Sequence, residues 1–183
     1  ATLSNVFTGM GYSLVRHVTM LSATIILFFY IIKITMYFDT CKKEYSNVIP
    51  ASLYAGFPMI MMLLGSYYFD YNQLLGKGLW AAGLIIDAVH ILIFTYRNVI
   101  KGVKLDTFVP SWFVTYNGIL VSAVIGIPMK EPFICKIIAI YGIAVFAVII
   151  PFMVWRLIKK SVDGPMLHTS TFKSFSCKLF EFF

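Results

Sequence analysis

Long apolar runs without a charged residue are the feature that most constrains this chain. Three of them cover residues 46–69, 107–129 and 137–155. Each approaches or exceeds the roughly 20 residues that an α-helix needs to cross about 30 Å of hydrocarbon. Two further segments, 18–38 and 79–100, reach that length and contain a few ionisable residues. The runs predict an all-α integral membrane protein, because only lipid tolerates so much apolar surface.

Composition supports this interpretation. Hydrophobic residues make up 60% and charged residues 13% of the 183 residues, and the mean hydropathy is +0.84. Ordinary soluble domains carry about 25% charged residues. A soluble globular domain is therefore excluded, and the lipid bilayer is the first partner we expect.

The distribution of basic residues predicts the topology. Nine of them occupy three loops and four occupy the alternate ends, which is the positive-inside pattern. We therefore expect the basic loops in the cytoplasm, the protein in the plasma membrane, and the net charge of +7 to report topology rather than nucleic-acid binding. The nine are Lys33, Lys42, Lys43, Arg97, Lys101, Lys104, Arg156, Lys159 and Lys160, and the four are Arg16, Lys77, Lys130 and Lys136.

We predict a transmembrane helical domain over residues 1–160. Its five full spans fall at about 18–38, 47–69, 78–100, 108–127 and 132–158, with outer turns near Gly76 and Pro128. Residues 1–9 suggest the last turns of a helix that begins before Ala1, with a short extracellular amino terminus as the alternative. Residues 161–183 suggest either a cytoplasmic tail or a disrupted next helix. We therefore expect a partial chain.

Two segments of the chain resemble each other at a fixed offset. Pro50 and Pro110 begin similar apolar runs sixty residues apart. That period suits a transmembrane helical hairpin repeated in tandem, and such repeats most often build pores or carriers.

The two helices that follow these prolines each contain residues that destabilise an α-helix near its middle. Pro58 removes a helical hydrogen bond beside Gly56, and Asn117 precedes Gly118 at nearly the same depth. Such features are tolerated in lipid where they face a cavity or a neighbouring helix. We predict that these two helices line a path, with nearby aromatic residues as a hydrophobic constriction. Close packing through small residues is the alternative. The pore-lining candidates are Gly56, Phe57, Pro58, Phe113, Tyr116, Asn117 and Gly118.

Asp87 and His90 are the ionisable residues deepest in a span. They are three residues apart and therefore share one helix face. A buried aspartate needs a partner in lipid, so we expect either an ion pair that joins helices or a proton relay. We find no catalytic constellation, no metal-ligand spacing and no cofactor motif, and we expect no enzyme activity.

Several motifs resemble the tellurite-resistance and C4-dicarboxylate transporter family, which includes the plant slow anion channels and the malate and sulfite exporters. They are FVPSWF at 108–113, Asn117-Gly118, AVIG at 123–126, YAGFP at 54–58 and ATLSN at 1–5. The resemblance covers about residues 1–160. It implies ten helices in five tandem hairpins, with the first helix of each hairpin lining a central pore, and a homo-oligomer like the family trimer. The spans here would be helices two to six, without the ninth helix that carries the family's gating phenylalanine.

Three functions remain open from the sequence. The first is transport of small anions or organic acids, such as C4-dicarboxylates, malate, sulfite or tellurite, through a pore of kinked helices. The second is a membrane structural or interaction protein, or an inactive fragment, that transports nothing. The third is a proton-coupled carrier that uses Asp87 and His90.

Overall fold

A computed structural model describes residues 13–102 and 108–159. Every regular element within those residues is helical, which confirms the all-α class. The elements are α1 (Ser13–Met36), α2 (Phe38–Ser46), α3 (Val48–Leu53), α4 (Gly56–Phe69), α5 (Gln73–Thr95), α6 (Ser111–Asn117), α7 (Leu120–Gly126) and α8 (Pro132–Lys159). A π-helical turn, Tyr96–Ile100, extends α5. The predictions for residues 1–9 and 161–183 lie outside the described residues.

Four helical segments are long and apolar enough to cross a membrane: Leu14–Met36, Val48–Phe69, Gln73–Ile100 and Pro132–Arg156. The predicted span at 108–127 is present in a different form, as α6 and α7 separated by Gly118 and Ile119. Both residues keep right-handed helical backbone angles. Tighter hydrogen bonds join the two pieces, from Val121 N to Gly118 O at 3.1 Å and from Ser122 N to Ile119 O at 3.0 Å. The helices α6 and α7 are therefore two parts of one interrupted helix rather than two separate helices.

The segment Val48–Phe69 is interrupted in the same way, at Tyr54 and Ala55. Pro58 has no N–H and would leave the Tyr54 carbonyl without its helical donor. The Phe57 N–H donates to that carbonyl instead, at 3.1 Å, in a bond one residue shorter than the α-helical one. Proline chemistry thus explains the first interruption, and both helices predicted to line a path carry one.

Two details differ from the sequence predictions. Residues 38–46, expected to lie in a loop, form α2. The turn expected near Gly76 lies earlier, at Tyr71 and Asn72, where the Asn72 Oδ1 accepts from the N–H groups of Leu74 and Leu75 at 3.0 and 3.2 Å. Gly76 is instead inside α5, and a Cβ there would lie 2.4 Å from the Phe69 Cα. The glycine therefore serves helix packing and the asparagine cap starts the helix.

Packing separates the helices into two layers. The interrupted helices lie side by side, α3 against α6 and α4 against α7, while α1 and α5 pack on α4, and α8 packs on α6 and α7. The long helices carry most of the exposed apolar side chains. On the interrupted helices the exposed large apolar residues are few: Leu53, Val114 and Val124. We conclude that α1, α5 and α8 supply most of the surface that meets lipid.

Glycines bring α4 and α5 into close contact. A Cβ at Gly83 would lie 2.9 Å from the Pro58 carbonyl oxygen and 2.8 Å from the Met62 Cγ. A Cβ at Gly65 would lie 2.8 Å from the Trp80 backbone nitrogen. Small residues allow such approach between membrane helices and so fix this hairpin.

Polar contacts define two ends of the bundle. At the first, the Lys33 Nζ lies 2.8 Å from a Glu44 carboxylate oxygen, and Arg97 donates to the carbonyls of Tyr45 and Ser46 at 2.9 and 3.0 Å. We call this the basic end. At the opposite end, Arg16 pairs with Asp70 at 2.6 Å and Lys77 with Glu131 at 2.9 Å. Loops that the charge pattern assigned to the same side of the membrane therefore lie at the same end of the bundle.

Candidate functional site

The two interrupted helices meet through buried hydroxyl groups, which we call the polar seam: Ser52, Ser111 and Thr115. The Ser52 Oγ lies 2.7 Å from the Ser111 Oγ. The Thr115 Oγ1 donates to the Ser52 carbonyl at 3.1 Å. Ser52 and Thr115 are completely buried. Because lipid offers no hydrogen bonds, such groups must satisfy one another, and they join the two helices.

Both helix interruptions lie directly beyond this seam. Tyr54 follows Ser52 by two residues, and Gly118 follows Thr115 by three. Since the seam sets Ser52 against Thr115, the two interruptions lie at neighbouring depth. The sequence repeat thus places two weakened stretches of helix side by side within the bundle.

Asn117 is the least satisfied polar residue of the interrupted helices. Its Nδ2 and Oδ1 are both shielded from solvent, and neither has a hydrogen-bond partner within residues 13–102 and 108–159. Leaving a buried amide unpaired costs about 1–3 kcal/mol by protein mutational data. The side chain therefore has an unused donor next to the helix interruption, and a donor is what an anion requires.

The two candidate glycines differ in their surroundings. A Cβ added at Gly56 would meet no atom within 4 Å, so this residue borders open space. A Cβ added at Gly118 would lie 3.0 Å from the Met59 Sδ and 2.7 Å from the Val114 carbonyl oxygen. Gly56 therefore fits a path, whereas Gly118 fits close packing of α4 against the second interrupted helix.

Phe57 and Pro58 contact outer helices. The Phe57 ring lies 5.6 Å, between centroids, from the Tyr30 ring of α1. Pro58 is fully buried, with its carbonyl facing Gly83 of α5. Both residues therefore position the first interrupted helix against its neighbours.

Phe113 and Tyr116 also point toward outer helices. The Phe113 ring lies 5.7 Å from the Phe146 ring of α8, and the Tyr116 hydroxyl lies 3.0 Å from the Thr95 Oγ1 of α5. Among the ring contacts of the described residues, none joins Phe57, Phe113 and Tyr116 to one another. The structure does not bring the aromatic candidates together into a ring.

Asp87 and His90 lie on the buried face of α5, as their spacing predicts. Asp87 is completely buried, and neither carboxylate oxygen has a hydrogen-bond partner among the described residues. The His90 Nδ1 lies 2.8 Å from the Tyr45 hydroxyl, while its Nε2 has no such partner. The two side chains therefore do not bond to each other. Asp87 lies between Gly83, which faces Pro58, and His90, which reaches α2.

Glu44 is a positioning residue that the sequence did not single out. Its carboxylate accepts from the Lys33 Nζ at 2.8 Å and from the Tyr54 hydroxyl at 2.7 Å. These two hydrogen bonds lower the pKa of the Glu44 carboxyl below its ordinary value. Glu44 thus ties α1 and α2 to the first helix interruption. The helical pattern of residues 38–46 could have indicated Glu44, but the charged residues of this segment favoured the prediction of a loop.

Within residues 13–102 and 108–159, no three His, Cys, Asp or Glu side chains are grouped so that they could hold a metal ion.

Interrupted helices inside a membrane bundle are typical of channels and transporters. Residues 3–176 match the SLAC1 family model, described as voltage-dependent anion channel. The match covers most of the chain, so the protein belongs to this family of integral membrane anion channels and transporters, whose members are not enzymes. It continues to residue 176, past the 1–160 over which the resemblance was recognised. No curated protein gave a significant match.

Proposed function

We propose that the interrupted helices α3–α4 and α6–α7 line part of an anion path through the membrane. The observation that carries the proposal is the pairing of two helix interruptions at one buried polar seam. The family establishes anion transport in general, and the seam is the place in this bundle where polar groups occur beside weakened helix. Of the seven sequence candidates, we assign contact with the path to Gly56 and Asn117. The others position the two helices: Phe57, Pro58, Phe113, Tyr116 and Gly118.

The transported species we propose is a small inorganic anion or an organic acid, such as malate, another C4-dicarboxylate, sulfite or tellurite. Two properties support this class. The Asn117 amide offers an N–H donor that has no hydrogen-bond partner among the described residues, and none of the three seam residues is acidic. Carboxylates and oxyanions accept hydrogen bonds from such donors, and a hydrogen bond to a charged group contributes about 1.5–3 kcal/mol.

We further propose that the protein resides in the plasma membrane with its basic end in the cytoplasm, because basic loops remain on that side. A homo-oligomer like the family trimer would cover part of the lipid-facing surface. Both proposals come from the charge pattern and the family resemblance.

Replacement of Asn117 by leucine tests the path directly. The two side chains have the same number of heavy atoms and branch at the same position, so Asn117→Leu removes the donor while retaining the length of the side chain. We expect anion flux through liposomes containing the chain to fall about tenfold or more, the loss equivalent to one charge-assisted hydrogen bond. Val114→Leu, an exposed apolar change on the same helix, is the control. Equal flux in wild type and Asn117→Leu contradicts the assignment. Absence of flux in wild type under every gradient favours the non-transporting alternative.

A proton-coupled carrier is the second candidate, and one observation favours it. The Asp87 carboxylate is fully buried without a hydrogen-bond partner among the described residues, which is costly in a structural role. Tyr141 of α8 lies close enough to interact electrostatically with Asp87, and His90 lies three residues further along the same helix. Such a carboxyl could take up and release a proton during transport.

A further inference from the structure

An apolar groove crosses the outer face of the bundle between α5 and α8. Its cavity volume is about 710 Å³, within the range of ligand sites in proteins. Trp112 and Tyr116 of α6 form its floor, and Leu92 and Val148, each largely exposed, form its rims. The groove therefore opens sideways, toward the hydrocarbon that surrounds a membrane protein.

The length of the groove corresponds to one lipid leaflet. Along the α5 side it extends from Ile91 to Ile100, and along α8 from Tyr141 to Phe152. At about 1.5 Å rise per residue these stretches are about 14 and 16 Å long. Half of the hydrocarbon thickness is about 15 Å. A fatty acyl chain that begins at the membrane surface would reach the end of the groove near the bilayer centre.

The π-helical turn Tyr96–Ile100 lines one end of the groove. In this turn the Lys101 N–H donates to the Tyr96 carbonyl at 3.2 Å, five residues back. The extra residue in the turn displaces the backbone, and Tyr96, Val99 and Ile100 all line the groove. π-Helical turns are rare and are frequently found at functional sites.

The end of the groove that is nearest the basic end of the bundle carries a positive charge. Lys101 is exposed, and its Nζ lies 5.1 Å from the centre of the Tyr96 ring. Arg156 follows Phe152 by one helical turn on α8 but is buried, so Lys101 is the cation that we assign to the headgroup. An occupant with an apolar body and an anionic head would therefore match both the lining and the charge.

We propose that this groove binds one acyl chain of an anionic phospholipid, with the headgroup held beside Lys101. On α6 the groove residues Trp112 and Tyr116 each follow a seam residue by one position, so the groove lies about 100° around the helix from the seam. The proposal therefore stands independently of anion conduction. The bound lipid fills the space between α5 and α8 and contacts Trp112 directly.

Quenching of tryptophan fluorescence by brominated acyl chains tests the proposal. The full chain with Trp155→Phe retains Trp112 in the groove floor and Trp80, which is buried away from it. We expect brominated phosphatidylserine to quench the Trp112 signal, identified by its loss in Trp155→Phe/Trp112→Phe. Trp112 that stays unquenched in brominated bilayers overturns the proposal, because it means that protein rather than lipid covers the groove.

A matched pair of filling variants locates the bound chain. Ala144 lines this groove, whereas Ala147 lines a shallower hollow on another face of α8. Ala144→Phe should abolish most of the Trp112 quenching, and Ala147→Phe should leave it unchanged. Equal quenching in both variants overturns the site, because it means that the bromines reach Trp112 by another route.

The headgroup preference is tested at Lys101. In wild type we expect phosphatidylserine to bind about fivefold more strongly than phosphatidylcholine, the ratio that one lysine near an anionic surface provides. Lys101→Gln should reduce this ratio to about one, whereas Lys43→Gln, an exposed lysine on α2, should not. An unchanged ratio in Lys101→Gln overturns the headgroup assignment.

Discussion

Asn117 and Gly56 are the two residues that we assign to the proposed path. The Asn117 amide is shielded from solvent and has no hydrogen-bond partner among the described residues, and Gly56 borders open space. Both are candidates by residue type. Proline and phenylalanine were weaker guides, because Pro58 and Phe57 turn toward α5 and α1. Spacing in the sequence shows which residues share a face of one helix. It does not show which neighbouring helix packs against that face, because this depends on tertiary packing.

At the residue scale, Asp87→Asn separates a proton-coupled carrier from a passive path. If Asp87 exchanges a proton during transport, anion uptake depends on pH in wild type and loses that dependence in Asp87→Asn. The reason is that an amide cannot take up the proton. The measurement is anion uptake into liposomes at a series of external pH values, with Asp39→Asn, an exposed aspartate on α2, as the control. A pH dependence that survives in Asp87→Asn eliminates the carrier.

Helices were predicted better than their ends and interruptions. The apolar runs overlap the four helical segments that are long and apolar enough to cross a membrane, because length and hydropathy dominate in lipid. The pattern did not show that α2 is helical or that α5 begins at the Asn72 cap, since charges and a nearby glycine suggested a loop there. Nor could hydropathy show that 108–127 is interrupted at Gly118 and Ile119. The shortened hydrogen bonds depend on how α6 and α7 pack.

At the element scale, the α4–α5 contact predicts opposite effects for two glycines of the same helix. A methyl group at Gly83 would be forced against Met62 and the Pro58 carbonyl, so Gly83→Ala should destabilise the fold by about 1–3 kcal/mol. Gly78→Ala meets nothing within 4 Å and should stabilise α5 by up to about 1 kcal/mol. The free energy of unfolding in mixed detergent micelles measures both. A neutral Gly83→Ala contradicts the close packing described.

At the scale of the whole molecule, the two helix layers relate the sequence repeat to the proposed function. The sixty-residue repeat produces two equivalent interrupted helices, the buried hydroxyls join them, and the long helices α1, α5 and α8 shield them from lipid. The repeat and the family resemblance were readable in the sequence. The polar seam was not, because serine and threonine are common in membrane helices and only their contact across α3 and α6 makes them a site.

Chemical modification at Gly56 tests most directly whether the interrupted helices line an anion path. Gly56→Cys, in a background with the native cysteines replaced by serine, places a thiol in open space beside the first interruption. We predict that a water-soluble, negatively charged thiol reagent modifies it and that anion flux through liposomes falls with the extent of modification. Gly78→Cys, at an exposed position near the start of α5 and the Asn72 turn, should react without changing flux. Full modification at Gly56 with unaltered flux would contradict the central claim.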